Sequence, residues 1–250
     1  MLSTIIITLN EEQMINDCLV SVEFSNEIIL VDTGNTDKTN DIAQKYNCRI
    51  VKALPGSGWD NYRNTGIKAA KGDWILFVDA DERVTPLLKI EIEQIISSDS
   101  QFSAYEIPRR NFYLDKEMLH GGWGQDKVIR LFKKDSLLGY KNKLHEQPQV
   151  KGQIGFLSNS FVHFSHRDLE SMLNKTLLFT GFESKSRLDA KHPPMAVWRF
   201  ARVMFTEFWL RFVKLSAWRD GIEGTIDGLF QVFNMFIIYA RLWELQQKEH

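Results

Sequence analysis

The residues best suited to chemistry stand where apolar runs end. Trp74-Ile75-Leu76-Phe77-Val78 is followed by Asp79-Ala80-Asp81-Glu82, the run from Glu27 to Val31 by Asp32-Thr33-Gly34-Asn35-Thr36-Asp37, and Ser3 to Thr8 by Leu9-Asn10-Glu11-Glu12. Asp79 and Asp81 are two apart, so in extended chain both carboxylates project to one side. Close like charges repel unless a cation lies between them. Carboxylate oxygens are hard ligands that suit Mg²⁺ or Mn²⁺, and these ions share their coordination with substrate phosphates. A nucleoside diphosphate is therefore the natural partner of such a pair. An Asp-x-Asp also occurs as a solvated turn; the buried-type strand before this one, and Asp32 at a second strand end, favour the metal reading.

The elements that must carry these residues alternate. Strands are predicted at Ser3 to Thr8, Glu27 to Asp32, Cys48 to Val51 and Asp73 to Val78. Helices are predicted at Glu11 to Val22 with Asn10 as cap, Thr36 to Tyr46 opened by Thr36 or Asp37, Asp60 to Ala70, and Leu87 to Ile96. Fully apolar strands in β-α-β order mean a mostly parallel sheet covered on both faces. In such sheets ligands bind beyond the carboxyl ends of the strands, where the acidic segments lie. Past Ser97-Ser98-Asp99-Ser100 the pattern changes: Ala104 to Ile107, Phe112 to Leu114, Lys127 to Phe132 and Gln153 to Leu157 read as added antiparallel strands. From Asp168 onward the chain reads as helical, with breaks at His192-Pro193-Pro194 and at Gly221 to Gly228.

Composition narrows the class. With 250 residues there is room for one α/β domain and a smaller appendage, and 31 basic against 32 acidic residues give a net charge of -1 and no global field that favours nucleic acid. Cys18 and Cys48 have no metal-ligand spacing and read as buried thiols of a reducing compartment. The first residues lack a basic region and a cleavage site and read as a strand rather than a signal peptide. The late apolar stretch Leu229 to Ala240 is interrupted by Gln231 and Asn234, too short and too polar for a bilayer span. A cytoplasmic location is expected.

Taken together, Thr8 to Glu12, Val31 to Thr39, Arg63-Asn64-x-Gly66 and Ala70-x-Gly72-Asp73 through Glu82 resemble, in order and spacing, the N-terminal half of inverting family-2 glycosyltransferases of the GT-A fold. Arg130-Leu131-Phe132, Leu144-His145-Glu146, His163-Phe164-Ser165-His166 and the helical tail resemble the bacterial subgroup that adds glucose to inner-core heptose of lipopolysaccharide. The resemblance implies an α/β, Rossmann-like GT-A sheet at residues 1–167, with a nucleotide-binding half 1–100 and an acceptor half 101–167. A helical extension then occupies 168–250. It implies a UDP-sugar donor and a divalent metal, Mg²⁺ or Mn²⁺. Leu9 and Glu11 would line the nucleoside pocket, and Asp32 would accept the uracil N3–H. Asp79 would contact ribose and share with Asp81 the holding of the metal on the diphosphate. A carboxylate is acceptor-only, which suits an imide N–H or a ribose hydroxyl. Arg63 is placed to contact the sugar or a phosphate, or else to form a surface salt bridge.

Inversion needs one base, on the face opposite the leaving group, to take the acceptor hydroxyl's proton. Glu146 is the favoured base because His145-Glu146 matches a His-Glu pair of the subgroup; Asp126 and Glu106 are the alternatives. His145 would orient the donor phosphates or ligate the metal. Trp123, within Gly121-Gly122-Trp123-Gly124, offers a ring on which a sugar's C–H face can stack, or else fills the core beside a turn. A lipid-linked glycan is the expected acceptor, with another cell-surface glycan or a peptide as alternatives; a non-catalytic, membrane-peripheral interaction protein is a reading from a different class.

From Lys191 to Arg219 the chain carries Lys191, Arg199, Arg202, Arg211, Lys214 and Arg219 against Glu207 alone. On a helical wheel Trp198, Ala201, Met204, Phe205, Phe208, Trp209, Phe212 and Val213 form a broad apolar face. Arg199, Glu207, Arg211 and Lys214 lie opposite it, and Arg202 falls within the apolar arc. Such a helix suits the headgroup layer of the cytoplasmic membrane surface. Alternatively the face packs on Phe230, Phe233, Phe236, Ile237 and Trp243 of the last helix, and a homodimer through these helices is compatible with either arrangement.

Overall fold

The computed structural model describes residues 1–124, 126–141, 147–166 and 168–248. The chain forms two compact units: Met1–Arg110 with Lys127–His163, and Asn111–Asp126 with Phe164–His250. The segment Asn111–Asp126, which the sequence reading places in the acceptor half, thus belongs with the helical tail.

In the first unit the strands are β1 (Leu2–Thr8), β2 (Glu27–Asp32), β3 (Arg49–Lys52), β4 (Trp74–Asp79) and β5 (Glu82–Val84). Then come β6 (Ala104–Tyr113), β7 (Lys116–Met118), β8 (Lys127–Lys133), β9 (Leu137–Lys141), β10 (Gln147–Val150), β11 (Ile154–Phe156) and β12 (Phe161–His166), of which β7 and the ends of β6 and β12 belong to the second unit. The sheet runs β3-β2-β1-β4-β8-β6-β12-β5, and β9 pairs with β10 apart from it. Pairing of β1 with β2 and β4, and of β2 with β3, is parallel, whereas β8 is antiparallel to both β4 and β6. This is the mostly parallel α/β sheet with antiparallel additions, except that the segment expected as antiparallel at Gln153 to Leu157 forms β11, which pairs parallel with β6.

Every residue of β1 is buried because both sheet faces are covered. Side chains alternate accordingly. Leu2, Ile6, Leu30, Leu76 and Val78 meet the layer of helices α1 (Ile15–Ser21), α2 (Thr39–Lys45) and α4 (Pro86–Ser97); Ile5, Ile7, Val31 and Phe77 meet helix α3 (Trp59–Ala69) and β9. Helix α3 sits close because Gly66 faces β1: a Cβ there would lie 2.4 Å from Ile5 Cγ2.

Two helix starts differ from expectation. Asn10 does not cap α1. Its backbone is left-handed at φ 57°, and its side-chain oxygen accepts from Thr36 N at 2.8 Å. Asn35 returns the bond by accepting from Asn10 N at 2.8 Å. The two carboxyl-end loops are therefore tied to each other, and α1 begins only at Ile15. Likewise α2 starts at Thr39, where Asp37 Oδ1 accepts from Thr39 N at 3.0 Å in an Asx turn.

The second unit contains helices α5 (Leu169–Asp189), α6 (Val197–Phe208) and α7 (Gly221–Lys248). Asp168 opens α5 through a capping box with Ser171, accepting from Ser171 N at 2.6 Å. Tyr113, Met118 and Met172 form its buried centre, with Trp123, Ile226 and Phe230 packed around them. The expected break at His192-Pro193-Pro194 separates α5 from α6. The expected break at Gly221 to Gly228 does not occur, because α7 runs unbroken through that segment. Its glycines serve close packing instead. A Cβ on Gly224 would lie 2.1 Å from the Ala217 carbonyl oxygen, and one on Gly228 would lie 2.9 Å from the Phe212 ring. The chain turns just before, in a 3₁₀ turn at Ala217–Asp220 that ends at Gly221 with φ 74°.

Helix propensity alone favours Ala over Gly by about 1 kcal/mol. Gly224→Ala is nevertheless expected to destabilise the protein by about 1–3 kcal/mol, since the clash is with backbone rather than with a side chain that can swing away. Urea unfolding of the two proteins checks the sign.

Candidate active site

Strand pairing places the acidic ends at one edge: Asp32 is level with Thr8 and Asp79 with Ile7, on either side of β1. The chain turns at Ala80–Asp81 directly after β4, so extended geometry does not persist through the Asp-x-Asp and the two carboxylates receive different environments.

Asp79 points to the α3 side of the sheet, like Phe77 two residues earlier. There Arg63 Nη2 lies 3.5 Å from Asp79 Oδ1, and Arg130 Nη2 bonds Asp79 Oδ2. Both guanidinium groups are buried, with side-chain exposures of 5% and 8%, and that of Arg63 stacks 5.2 Å from the ring centres of Phe77 and of Tyr140. Arg63 is thus not a surface salt bridge; it is buried beside Asp79. Arg130 reaches Asp79 through a β-bulge. Tyr105 pairs with Leu131 and Glu106 with Ile129, so Arg130 is the extra residue, re-aimed by the local bend. Burial works against the Asp79 charge, but Arg130 and then Arg63 outweigh it and hold the carboxyl below its usual range.

The following residue pair is braced from the other side. Glu82 is wholly buried; its Oε2 accepts from Asp79 N at 2.9 Å and its Oε1 lies 3.2 Å from Arg109 Nη1. The Cys18 thiol, buried as expected and pushed up in pKa by that burial, donates to the Asp79 carbonyl at 3.5 Å. Cys48 is half-buried.

Asp81 is differently placed. His163 Nε2, on β12, lies 3.6 Å from Asp81 Oδ2, with side-chain exposures of 13% and 21%. The antiparallel pairing of β12 with β5 sets this contact, because His163 is in register with Glu82. Among the described residues no group of three or more His, Cys, Asp or Glu side chains gathers closely enough to cage a metal ion. A carboxylate and an imidazole at a partly open edge nonetheless fit a Mg²⁺ or Mn²⁺ ion that takes its remaining ligands from water and a diphosphate.

At the neighbouring loop Asp32 is 6% exposed. Its Oδ1 accepts from Gly34 N at 2.9 Å and Asn35 N at 2.7 Å, and its Oδ2 accepts from Asn40 Nδ2 at 2.9 Å. Burial opposes its charge; the Asn35, Asn40 and Gly34 hydrogen bonds prevail and lower its pKa. Asp32 therefore shapes the loop, with a lone-pair direction left on Oδ2 for an incoming N–H. Leu9 is exposed and covers Gly34, where Pro55 also approaches. Glu11 is half-buried, and its backbone N–H donates to Thr39 Oγ1 at 2.8 Å.

Of the base candidates, Glu106 on β6 lies 4.0 Å from Lys127 Nζ. Asp126 belongs to the second unit, where its carboxylate accepts from Asn111 Nδ2 at 3.1 Å. Glu146 and His145 lie outside the described residues. Trp123 is half-buried in the second unit's core. Its indole N–H donates to Asp227 Oδ2 at 2.8 Å and its ring meets His166 edge-on. Burial raises the pKa of Asp227, against the Trp123 and Gln231 hydrogen bonds that lower it.

Sequence reasoning assigned no role to Arg130, Arg109, Glu82 or His163. The signal for Arg130 and His163 was present in the Arg130-Leu131-Phe132 and His163-Phe164 blocks. Their targets became visible only with the bulge and the β5–β12 register.

A Rossmann-like sheet with acidic residues at its central carboxyl edge and antiparallel strands beside it is the architecture of GT-A glycosyltransferases. The profile of glycosyl transferase family 2 matches residues 3–168, and the chain belongs to that family. Among curated relatives, an uncharacterized glycosyltransferase of Rickettsia typhi is 27% identical, covering 99% of this chain and 88% of the relative. A lipopolysaccharide core biosynthesis glycosyltransferase of Rhizobium meliloti is 23% identical, covering 97% and 92%. Among solved structures, glucosyl-3-phosphoglycerate synthase from Mycobacterium tuberculosis, in complex with Mn²⁺, UDP and phosphoglyceric acid, aligns with a TM-score of 0.46 at 16% identity, over 68% of this chain and 72% of that one.

Arg130→Met leaves Asp79 with Arg63 alone. Breaking a buried pair costs about 3–5 kcal/mol, and the partial exposure of Asp79 places this variant at the low end. The sign follows from linkage. A carboxyl lowered in the folded state stabilises above its unfolded pKa, and that stability is lost as pH falls through the folded value. The variant should be destabilised at pH 7, and the difference from the parent should shrink on acidification below about 3.8, the ordinary Asp value. Denaturant titrations across this pH range measure both.

Proposed function

We propose that this glycosyltransferase moves a hexose, glucose in the first instance, from a UDP-sugar to an inner-core heptose of lipopolysaccharide, with inversion at the anomeric carbon. The observation that carries the reading is the division of the Asp79-Ala80-Asp81 carboxylates. One is clamped by Arg63 and Arg130, and the other meets the imidazole of His163 at a partly open edge. The acceptor class is supported by the Rhizobium meliloti relative, whose name assigns it to lipopolysaccharide core biosynthesis and which is similar over nearly the whole chain.

In this reading Asp79, fixed and ionised, accepts a ribose hydroxyl, and its immobility is what Arg63 and Arg130 supply. Asp32 meets the uracil N3–H through the free direction of Oδ2, while Leu9 and Glu11 border the base. Asp81 and His163 would hold a divalent ion, and an imidazole ligand would favour Mn²⁺ over Mg²⁺. When bound, the ion offsets the charge that develops on the departing diphosphate. Glu146 takes the proton from the acceptor hydroxyl as that oxygen attacks the anomeric carbon, so no second carboxylic acid is needed.

Mn²⁺ with UDP-glucose should raise the melting temperature of the protein, since a ligand that binds only the folded state stabilises it. Asp81→Ala and His163→Ala should each remove the metal-dependent part of that shift. Glu146→Gln should retain the full shift and lose about 10²–10⁴-fold in turnover. Full turnover in Glu146→Gln would transfer the base role to Glu106 or Asp126. The absence of any shift with UDP-sugars would overturn the donor assignment.

A further inference from the structure

Helix α6 and its continuation, a π-helical turn at Trp209–Lys214, present an arrangement opposite to that of an ordinary packed helix. No residue of either segment is buried. The half-buried side carries Glu207 and Arg211, joined at 2.7 Å, and Arg211 Nη1 donates onward to the Gly121 carbonyl at 2.6 Å. Phe200 also faces inward, its ring 5.9 Å from that of Phe236. The solvent side, by contrast, is apolar. Val197 is 87% exposed, Trp198 56%, Phe205 64%, Trp209 48% and Val213 49%. The expected partners on α7 therefore cover only the inner side of this helix, and the apolar face read from the sequence looks outward except at Phe212, which packs on Gly228. The wider π turn keeps Val213 on that face and leaves Lys214 exposed beside it.

The charges bordering the face have one sign. Arg202, Lys214 and Arg219 are exposed, and Arg199 and Arg202 lie 4.6 and 5.9 Å from the Trp198 ring. Arg219 stands 5.5 Å from the ring of Trp218, itself 56% exposed. The one acid of the segment, Glu207, is turned inward and neutralised by Arg211. Folding does not require so much exposed Trp and Phe, and water disfavours it.

We propose that this face docks the chain on an anionic lipid surface. Trp198, Phe205 and Trp209 enter the headgroup layer, while Arg202, Lys214 and Arg219 meet lipid phosphates. Charge chooses lipid over a second copy of the chain: a two-fold interface would set this cationic border against itself. Among the described residues no helix is long and apolar enough to cross a membrane, so the contact lies on the bilayer. The inference does not depend on the identity of donor or acceptor.

The test is sedimentation of the full chain with vesicles of phosphatidylcholine alone and of phosphatidylcholine mixed with phosphatidylglycerol, with no nucleotide present. Binding is expected only to the anionic vesicles, weakening as salt rises, with a blue shift of Trp fluorescence. Phe205→Ser/Trp209→Ser and Arg202→Glu/Lys214→Glu should each weaken it by at least about tenfold. Unchanged melting curves show that both variants fold, and neither pair is among the residues assigned to the carboxylate site. Equal binding of parent and variants would overturn the proposal. So would a parent that ignores anionic vesicles, or one that sediments as a dimer which Phe205→Ser/Trp209→Ser dissolves.

Discussion

The charge on Asp79 is the point on which the first unit is organised. A carboxylate at the end of a buried central strand is sustained by opposite charge. Two buried guanidinium groups provide it, and each depends on a different part of the fold. Arg63 needs α3 to lie tightly on β1, which Gly66 permits, and Arg130 needs the bulge in β8. Behind the strand end, Glu82 fixes the Asp79 backbone and is in turn held by Arg109. Loss of any member leaves an uncompensated buried charge, so the network is costly to break and fixes its geometry more than it adds stability.

That network explains how two aspartates two positions apart acquire separate properties. Asp79 is shielded and saturated with positive charge, whereas Asp81 has turned out of the strand to meet His163. Environments that separate like groups in this way are the usual origin of distinct roles in one site. The neighbouring loops are organised by the same economy of polar contacts: the Asn10 bonds to Asn35 and Thr36 and the Asp32 turn hold the β1 and β2 ends together.

The second unit obeys a different constraint. Its helices pack through small residues, with Gly224 and Gly228 of α7 closing on Ala217 and Phe212. Its buried acids are satisfied by loop donors. Asp220 accepts from Leu119 N, His120 N and the His120 ring, and Asp227 from Trp123. These bonds fix the Leu119–Gly124 loop, so Trp123 is held by its indole N–H rather than left free to swing. Against this well-satisfied interior, the apolar outer side of α6 is the exception.

The sequence by itself determined the alternation of strand and helix, the parallel sheet and the acidic edge, because fully apolar strands of β-branched residues have few other places to go. It also determined the family, through blocks whose order and spacing survive without coordinates. What only the tertiary structure decided were contacts between residues far apart in the chain: the clamp of Arg63 and Arg130 on Asp79, the meeting of Asp81 with His163, and the crossing of Asn10 to Thr36. A bulge or a strand register leaves little local trace, since either depends on pairing with a distant partner. The same holds for α6. Periodicity shows that a helix has an apolar face, but only packing decides which face is turned to solvent. The glycines of α7 make the point in reverse: read locally they break a helix, and in the fold they let a continuous helix approach its neighbours.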